Sequence, residues 1–255
     1  RHKVELVPMP TIPDVFRYAK AASDRLGVVP VENTSWGAIA ETIDLFVDPR
    51  RSLYIQEELS IHIRLALLGH KDSPRPKTLY SHVAPLEHCK KWLRRRLPKA
   101  TLHAVASTAV AVRRAAQEKG AAALGTRAAA KLYGLDILEF PVTQDIPNLT
   151  QFLVVGKEKS TVAGSQKSSL VVTLADRPGS LLALLQPFDD EGLNLSRIVS
   201  RPIPGQANKY VFFIDIEVAG VRSETAMRRA LRRARSACDS LRVVGSYPVR
   251  KPYRS

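Results

Sequence analysis

Four short runs of hydroxyl, amide and imidazole side chains stand where apolar segments end. Glu32, Asn33, Thr34 and Ser35 follow the β-branched segment Gly27–Val31, and Ser81 and His82 precede an apolar helical stretch around Leu86. Ser107 and Thr108 precede the next helical stretch, while Asn148, Thr150 and Phe152 open the run FLVV. Any one of these reads as a helix cap or turn, because short oxygen-bearing side chains satisfy the first N–H groups of a helix. Gathered at the carboxyl ends of strands, they would form a hydroxyl-rich crevice suited to a small carboxylate. For His82, capping and ligand contact fit equally well.

The elements that must position these residues follow from periodicity. Thr11 and Asp14 form a cap, Pro13 sits in the first turn, and Ile12, Val15, Phe16, Ala19 and Ala22 recur at helical spacing. Leu59, Ile61, Ile63, Leu65 and Leu67 alternate with more polar residues and predict one strand, with His62 at its rim. Alternating strands and helices up to about residue 156 predict an α/β region with a largely parallel sheet. The segment GKEKSTVAGSQK is rich in charge, Gly and Ser and reads as a linker, placed at 157–167. From Ser168 to about residue 250 the order strand, helix, strand, strand, helix, strand is the ferredoxin-like signature. Its last helix, taken as ETAMRRALRRARSACDSL, carries an apolar stripe of Met227, Ala230, Leu231, Ala234, Cys238 and Leu241.

Composition narrows the function classes. With 255 residues, 45% hydrophobic and 25% charged, the chain can bury a core and is not of disordered type. The net charge of +15 raises nucleic acid, membrane surfaces and acidic metabolites as partners. Aromatic residues make up only 6%, without the pattern of an RNA-stacking strand, which argues against nucleic acid. Between 222 and 254, nine Arg and one Lys face only Glu224 and Asp239, so +8 of the charge sits on the last helix and tail, a solvated face. Cys89 and Cys238 lack metal or redox spacing and read as small apolar side chains in a reducing compartment. No apolar stretch is long enough to span a bilayer and no leader precedes, so the expectation is a cytoplasmic protein, or a plastid one in a plant or alga. Dinucleotide-type glycine motifs, phosphate loops, His-Glu-x-x-His and Gly-x-Ser-x-Gly are all missing from the sequence, so nucleotide, metalloprotease and serine hydrolase chemistry lose their usual signatures.

The same segments resemble the prephenate dehydratase family over nearly the whole chain. GVVPVENTSWGAIAETIDLF is similar to its Glu-Asn-Ser segment and following helix, and SHVAPLEHCKKWL to its Ser-His-Pro-Gln segment. ASTAVAV resembles its Ser-Thr-Ala segment and NLTQFLVVG its Asn-x-Thr-Arg-Phe segment. RPGSLLALL and LNLSRIVSRP resemble the two binding segments of the ACT regulatory domain. The resemblance implies a two-lobed, periplasmic-binding-protein-like catalytic domain at 1–156, entered about one strand and helix late, and a ferredoxin-like ACT domain at 168–250. It also implies conversion of prephenate to phenylpyruvate, water and carbon dioxide without metal or cofactor, with phenylalanine as feedback effector. Thr150 would be the catalytic acid, and Asn33, Thr34, Ser81, His82, Ser107, Thr108, Asn148, Gln151 and Phe152 the substrate pocket. The effector would meet Gly179, Ser180, Leu181, Asn194, Ser200, Arg201 and Pro202 in a homodimer or homotetramer joined through ACT domains. Four positions depart from the family pattern: Thr34 for Ser, Ala84 for Gln, Gln151 for Arg and Val199 for Glu. A non-catalytic phenylalanine-binding regulator fits those departures too, as does an altered lyase, either a prephenate decarboxylase or an arogenate dehydratase.

Overall fold

The computed structural model describes residues 4–254 except 52, 74, 143–147, 161–163, 204, 207–208 and 219–220. Part of the expected linker and the Pro-containing loop before Asn148 therefore lie outside the described residues. In chain order the elements are α1 (Ile12–Ala21), β1 (Leu26–Asn33), β2 (Gly37–Ala38), α2 (Ala40–Val47), β3 (Tyr54–His62), β4 (Ala66–Gly69) and β5 (Thr78–Ser81). Then follow α3 (Val83–His88), α4 (Lys90–Arg96), β6 (Thr101–Ala104), α5 (Thr108–Gln117), β7 (Ala121–Gly125), α6 (Arg127–Tyr133) and β8 (Asp136–Glu139). The remainder is β9 (Leu149–Gly156), β10 (Lys167–Thr173), α7 (Ser180–Asp190), β11 (Leu195–Pro202), β12 (Tyr210–Glu217), α8 (Val221–Ala234), β13 (Ser240–Tyr247) and β14 (Tyr253–Arg254). Among the described residues no helix is long and apolar enough to cross a membrane.

Two compact units emerge. The first comprises Arg1–Glu32, Ala38–Ser60 and Gln151–Lys251, and the second Asn33–Gly37, Ile61–Thr150 and Pro252–Ser255. One five-stranded sheet has the order β14-β3-β9-β1-β2, and its strands β1, β3 and β9 each pass from one unit into the other.

The second unit holds a sheet of order β6-β5-β7-β4-β8. Here β5 runs parallel to β6 and β7, whereas β4 runs antiparallel to β7 and β8, so the sheet is mixed rather than largely parallel. The expected single strand from Leu59 to Leu67 is broken: β3 stops at His62 and β4 starts at Ala66. The backbone leaves its ladder at Ile63, whose N–H goes to the carbonyl of Asn148 at 2.7 Å. His62 is exposed at the strand end.

In the first unit, β10 to β13 form an antiparallel sheet of order β11-β12-β10-β13, the ferredoxin-like arrangement expected from the element order. Its two faces are both buried. Leu170, Val172, Ile214 and Ile216 pack under α7 and α8 with Leu184, Phe188, Met227, Ala230 and Ala234. The alternate residues Val171, Val211 and Phe213 pack with Phe16, Phe46, Leu53 and Ile55 of α1, α2 and the β3 region. Phe46 bridges them, 5.2 Å from Phe16 in an edge-on contact and 5.6 Å from Phe213. The last helix ends earlier than its sequence suggested, at Ala234, because the Ser236 hydroxyl donates to the Arg233 carbonyl and Cys238 is extended. Of the expected stripe, Met227, Ala230, Leu231 and Ala234 lie on α8 and face the core, whereas Cys238 lies beyond the helix and Leu241 in β13, both against the same core. Arg229 and Arg233 pair with Glu191, which caps α7, and Asp190 at its end.

A polar row crosses the second of these interfaces. Lys167 bonds Glu58 at 2.8 Å with both side chains buried, and Ser169 donates to Asp215 while sharing a 2.7 Å bond with the Tyr247 hydroxyl. Burial pushes the Asp215 carboxyl up against the pull of Arg197, and burial likewise raises the Tyr247 phenol well above its usual range. Beside the row β13 lies very close to β3: a Cβ on Gly245 would stand 2.7 Å from the Ile55 carbonyl oxygen. Gly245→Ala should therefore lower the unfolding free energy by about 1–3 kcal/mol, the usual cost of overpacking against backbone. Denaturant melts of the two proteins check this, and an unchanged midpoint would contradict the close approach.

Candidate functional site

Asn33 is the last residue of β1 and Thr150 the second of β9, and the amide joins them. Asn33 Oδ1 accepts the Ser35 N–H at 2.8 Å, which fixes the orientation of the group. Nδ2 then donates to Thr150 Oγ1 and to Asn148 Oδ1, each at 2.9 Å. With its oxygen already accepting from Asn33, the Thr150 hydroxyl keeps its own proton to give elsewhere. Thr34 secures the same strand ends: its N–H donates to the Leu149 carbonyl and its hydroxyl accepts the Leu149 N–H, each at 3.0 Å.

These residues border a cleft of about 580 Å³, whose lining comes wholly from the second unit. Its polar groups are Asn33, Ser35, His82, His88, Thr108, Thr126, Asn148 and Thr150. Trp36, Ile63, Leu65, Leu132 and Tyr133 supply apolar wall, a balance typical of a small-ligand site. His82 caps α3, its Nδ1 accepting the Ala84 N–H at 3.3 Å, which leaves the ring proton on Nε2. Ala84 itself lines the cleft. The first turn of the ten-residue α5 enters the cleft at Thr108 and Ala109, and its N-terminal partial charge favours an anion there.

The structure thus brings together Asn33, His82, Thr108, Asn148 and Thr150 from the expected pocket. Thr34 and Ser107 are absent from the lining, Thr34 being bonded to Leu149 and Ser107 capping α5 through the Val110 N–H at 3.2 Å. Ser81 is fully buried and its hydroxyl makes no hydrogen bond. Gln151 and Phe152 are absent from the lining; Gln151 belongs to the first unit, where Arg197 donates to its Oε1. Sequence inspection passed over Trp36, Thr126, Tyr133 and His88. His88 comes 53 positions after its partner Ser35, the Ser35 hydroxyl lying 3.0 Å from its Nδ1, a pairing that no local spacing signals. Among the described residues no cluster of His, Cys, Asp and Glu is placed to hold a metal.

Of the expected effector residues, Gly179 takes the left-handed conformation at φ 82° that starts α7, and Ser180 follows with a buried hydroxyl that has no hydrogen-bond partner. Leu181 leans on the helix-side core. Arg201 pairs with Asp44 of α2, and Ser200 and Pro202 are exposed. Asn194 lies just before the opposite end of β11 and bonds Glu217, so one chain does not gather all seven residues.

Residues 1–160 match the family described as prephenate dehydratase, and residues 168–232 match the ACT domain. The chain belongs to the prephenate dehydratase family. A bifunctional chorismate mutase/prephenate dehydratase of Stutzerimonas stutzeri is 36% identical over 97% of this chain and 67% of its own length. The protein of the same description from Aquifex aeolicus is 37% identical over 94% of this chain and 66% of its own. The chain therefore spans about two thirds of the length of these relatives. Among solved structures, a prephenate dehydratase of Arthrobacter aurescens in complex with L-Phe superposes with a TM-score of 0.83 at 26% identity, covering 95% of this chain and 80% of that one.

Within this prephenate dehydratase-family cleft, burial lowers the pKa of His88 from its usual value. A histidine held neutral in the folded state weakens folding as pH falls below the unfolded value of about 6.5, because the unfolded chain then binds more protons. An NMR titration should find the His88 ring titrating below about 6.5, and His88→Gln should flatten the loss of stability on the acid side. A His88 midpoint at or above that value would contradict the cleft geometry.

Proposed function

We propose that this chain is a prephenate dehydratase, with a catalytic part at 1–156 and an ACT regulatory part at 168–250 joined by 157–167. The observation that carries this is the hydrogen bond from Asn33 to Thr150 at the edge of the cleft, which leaves the threonine proton available to an acceptor. In the proposed reaction the bond from the ring to its carboxylate breaks and carbon dioxide leaves. The electron pair moves into the ring and expels the hydroxyl at the opposite carbon, which departs as water after taking the Thr150 proton. One proton from solvent restores the threonine. Aromatisation drives the sequence, so a weak acid suffices when it is held in place. Thr108 with the α5 N-terminus and His82 through Nε2 supply donors for the carboxylates, and Trp36, Leu132 and Tyr133 supply wall for the ring.

Phenylalanine is the proposed effector, supported by the L-Phe complex of the Arthrobacter relative. The separation of Asn194 from Gly179 and Ser180 favours a site completed by a second copy of the chain, which is the proposed role of ACT pairing. A cytoplasmic setting accords with this chemistry.

Incubation with prephenate should yield phenylpyruvate with uptake of one proton per turnover, and phenylalanine should alter the rate. Thr150→Ala should lower kcat by about 10²–10⁴-fold, the range of a positioned acid, while Thr150→Ser keeps a larger share. Turnover of arogenate but not prephenate would identify the altered lyase instead. A wild-type rate retained by Thr150→Ala would remove the assigned acid.

A further inference from the structure

Strand β11 sends alternate side chains to opposite faces of its sheet, and a register break between Leu195 and Arg197 sets which ones turn inward. Beyond the break, Arg197, Val199 and Arg201 face the elements of the catalytic part, while Ser196, Ile198, Ser200 and Pro202 are exposed. The Arg197 side chain is only 5% exposed, and each nitrogen of its guanidinium has a partner. Nε donates to Glu32 Oε2 at 2.7 Å, Nη1 to Asp215 and Nη2 to Gln151 Oε1. Two of those partners border the cleft pair directly along the chain: Glu32 precedes Asn33 and Gln151 follows Thr150. Their strands β1 and β9 are neighbours in one sheet.

We propose that Arg197 is a positioning residue, a fork from the ACT sheet that pins β1 and β9 beside Asn33 and Thr150 and so holds the Asn33–Thr150 hydrogen bond. The role of that bond rests on the dehydratase reading. A planar five-donor guanidinium suits this task because it fixes three acceptors at set angles, which an ammonium cannot do. A misplacement of about 1 Å at a reacting group costs about 10²-fold in rate, so a tie one residue away from the acid matters. The same strand carries Ser200 to Pro202 three to five residues further on, where effector contact is proposed. A shift of β11 on effector binding would therefore reach Thr150 through Arg197, the differential contact that allosteric coupling requires.

The test uses the full chain with Arg197→Lys, Gln151→Leu and the double variant. Arg197→Lys retains a cation for the buried Asp215, and Gln151→Leu removes only the tie to β9, so both should fold, as thermal melts will verify. Each single variant should lower kcat for prephenate by about 10- to 100-fold with KM within about twofold. The double variant should be no worse than the poorer single, because one interaction is being removed twice. Amide hydrogen exchange at Thr34 and Leu149 should quicken in both singles while β12 and β13 stay unchanged. Wild-type kcat and exchange in folded variants, or losses that multiply in the double, would overturn the proposal. If the wild-type chain does not turn over prephenate, the dehydratase reading falls and the exchange measurement alone decides for or against the pinning role of Arg197.

Discussion

Asp215 has no exposure to solvent, and an ionised carboxylate in that position must be matched by a cation and hydrogen-bond donors or it would be severely destabilising. The sheet answers across its strands. Arg197 stands opposite Asp215 in the β11–β12 register and Ser169 opposite it in the β10–β12 register, with Tyr247 of β13 closing the row through Ser169. The row lies on the face that also buries Val171, Val211 and Phe213 against α1, α2 and the β3 region. A slip of one residue would turn Asp215 toward the apolar helix face and Ile214 or Ile216 toward Arg197, so the charge specifies one pairing where hydrophobic contact alone would tolerate several.

Short covalent paths lead from that row to the cleft, since Glu32 precedes Asn33 and Gln151 follows Thr150. At its edge one amide joins the strand ends, its oxygen occupied by the Ser35 N–H and its nitrogen serving Asn148 and Thr150. Nothing in the pair is strongly acidic or basic; what distinguishes Thr150 is the direction left open to its proton. Preorganisation of this kind tolerates little movement of either strand. Glu32 and Gln151, one residue outside the cleft on either strand, are both held by Arg197.

Much of the fold could be read from periodicity. Thr11 caps α1 through the Asp14 N–H as its spacing implied, the α8 stripe faces the core, and the βαββαβ order emerges with its antiparallel sheet. These are local properties, set by 3.6- and 2-residue repeats and by cap chemistry. The break between β3 and β4 was hidden because Ile63 and Leu65 keep the alternating pattern while their backbone leaves the ladder. The lining of the cleft was legible where a single strand end or cap defines it, as at Asn33, His82 and Thr108. It failed at Gln151, although alternation along β9 already turns that side chain away from the side Thr150 takes. Arg197 could not be foreseen as its partner, since 46 residues and a register break separate them and no spacing rule reaches that far.

The shared core has a further meaning for modularity. ACT sequences form a separable match at 168–232, yet the outer face of this sheet is tailored to one neighbour by Lys167, Asp215, Arg197 and the bare backbone of Gly245. A side chain at position 245 would stand against Ile55, and a sheet without Lys167 would leave the buried Glu58 carboxylate without that cation. An exchanged sheet would keep this packing only if it brought the same polar row and a glycine at that position.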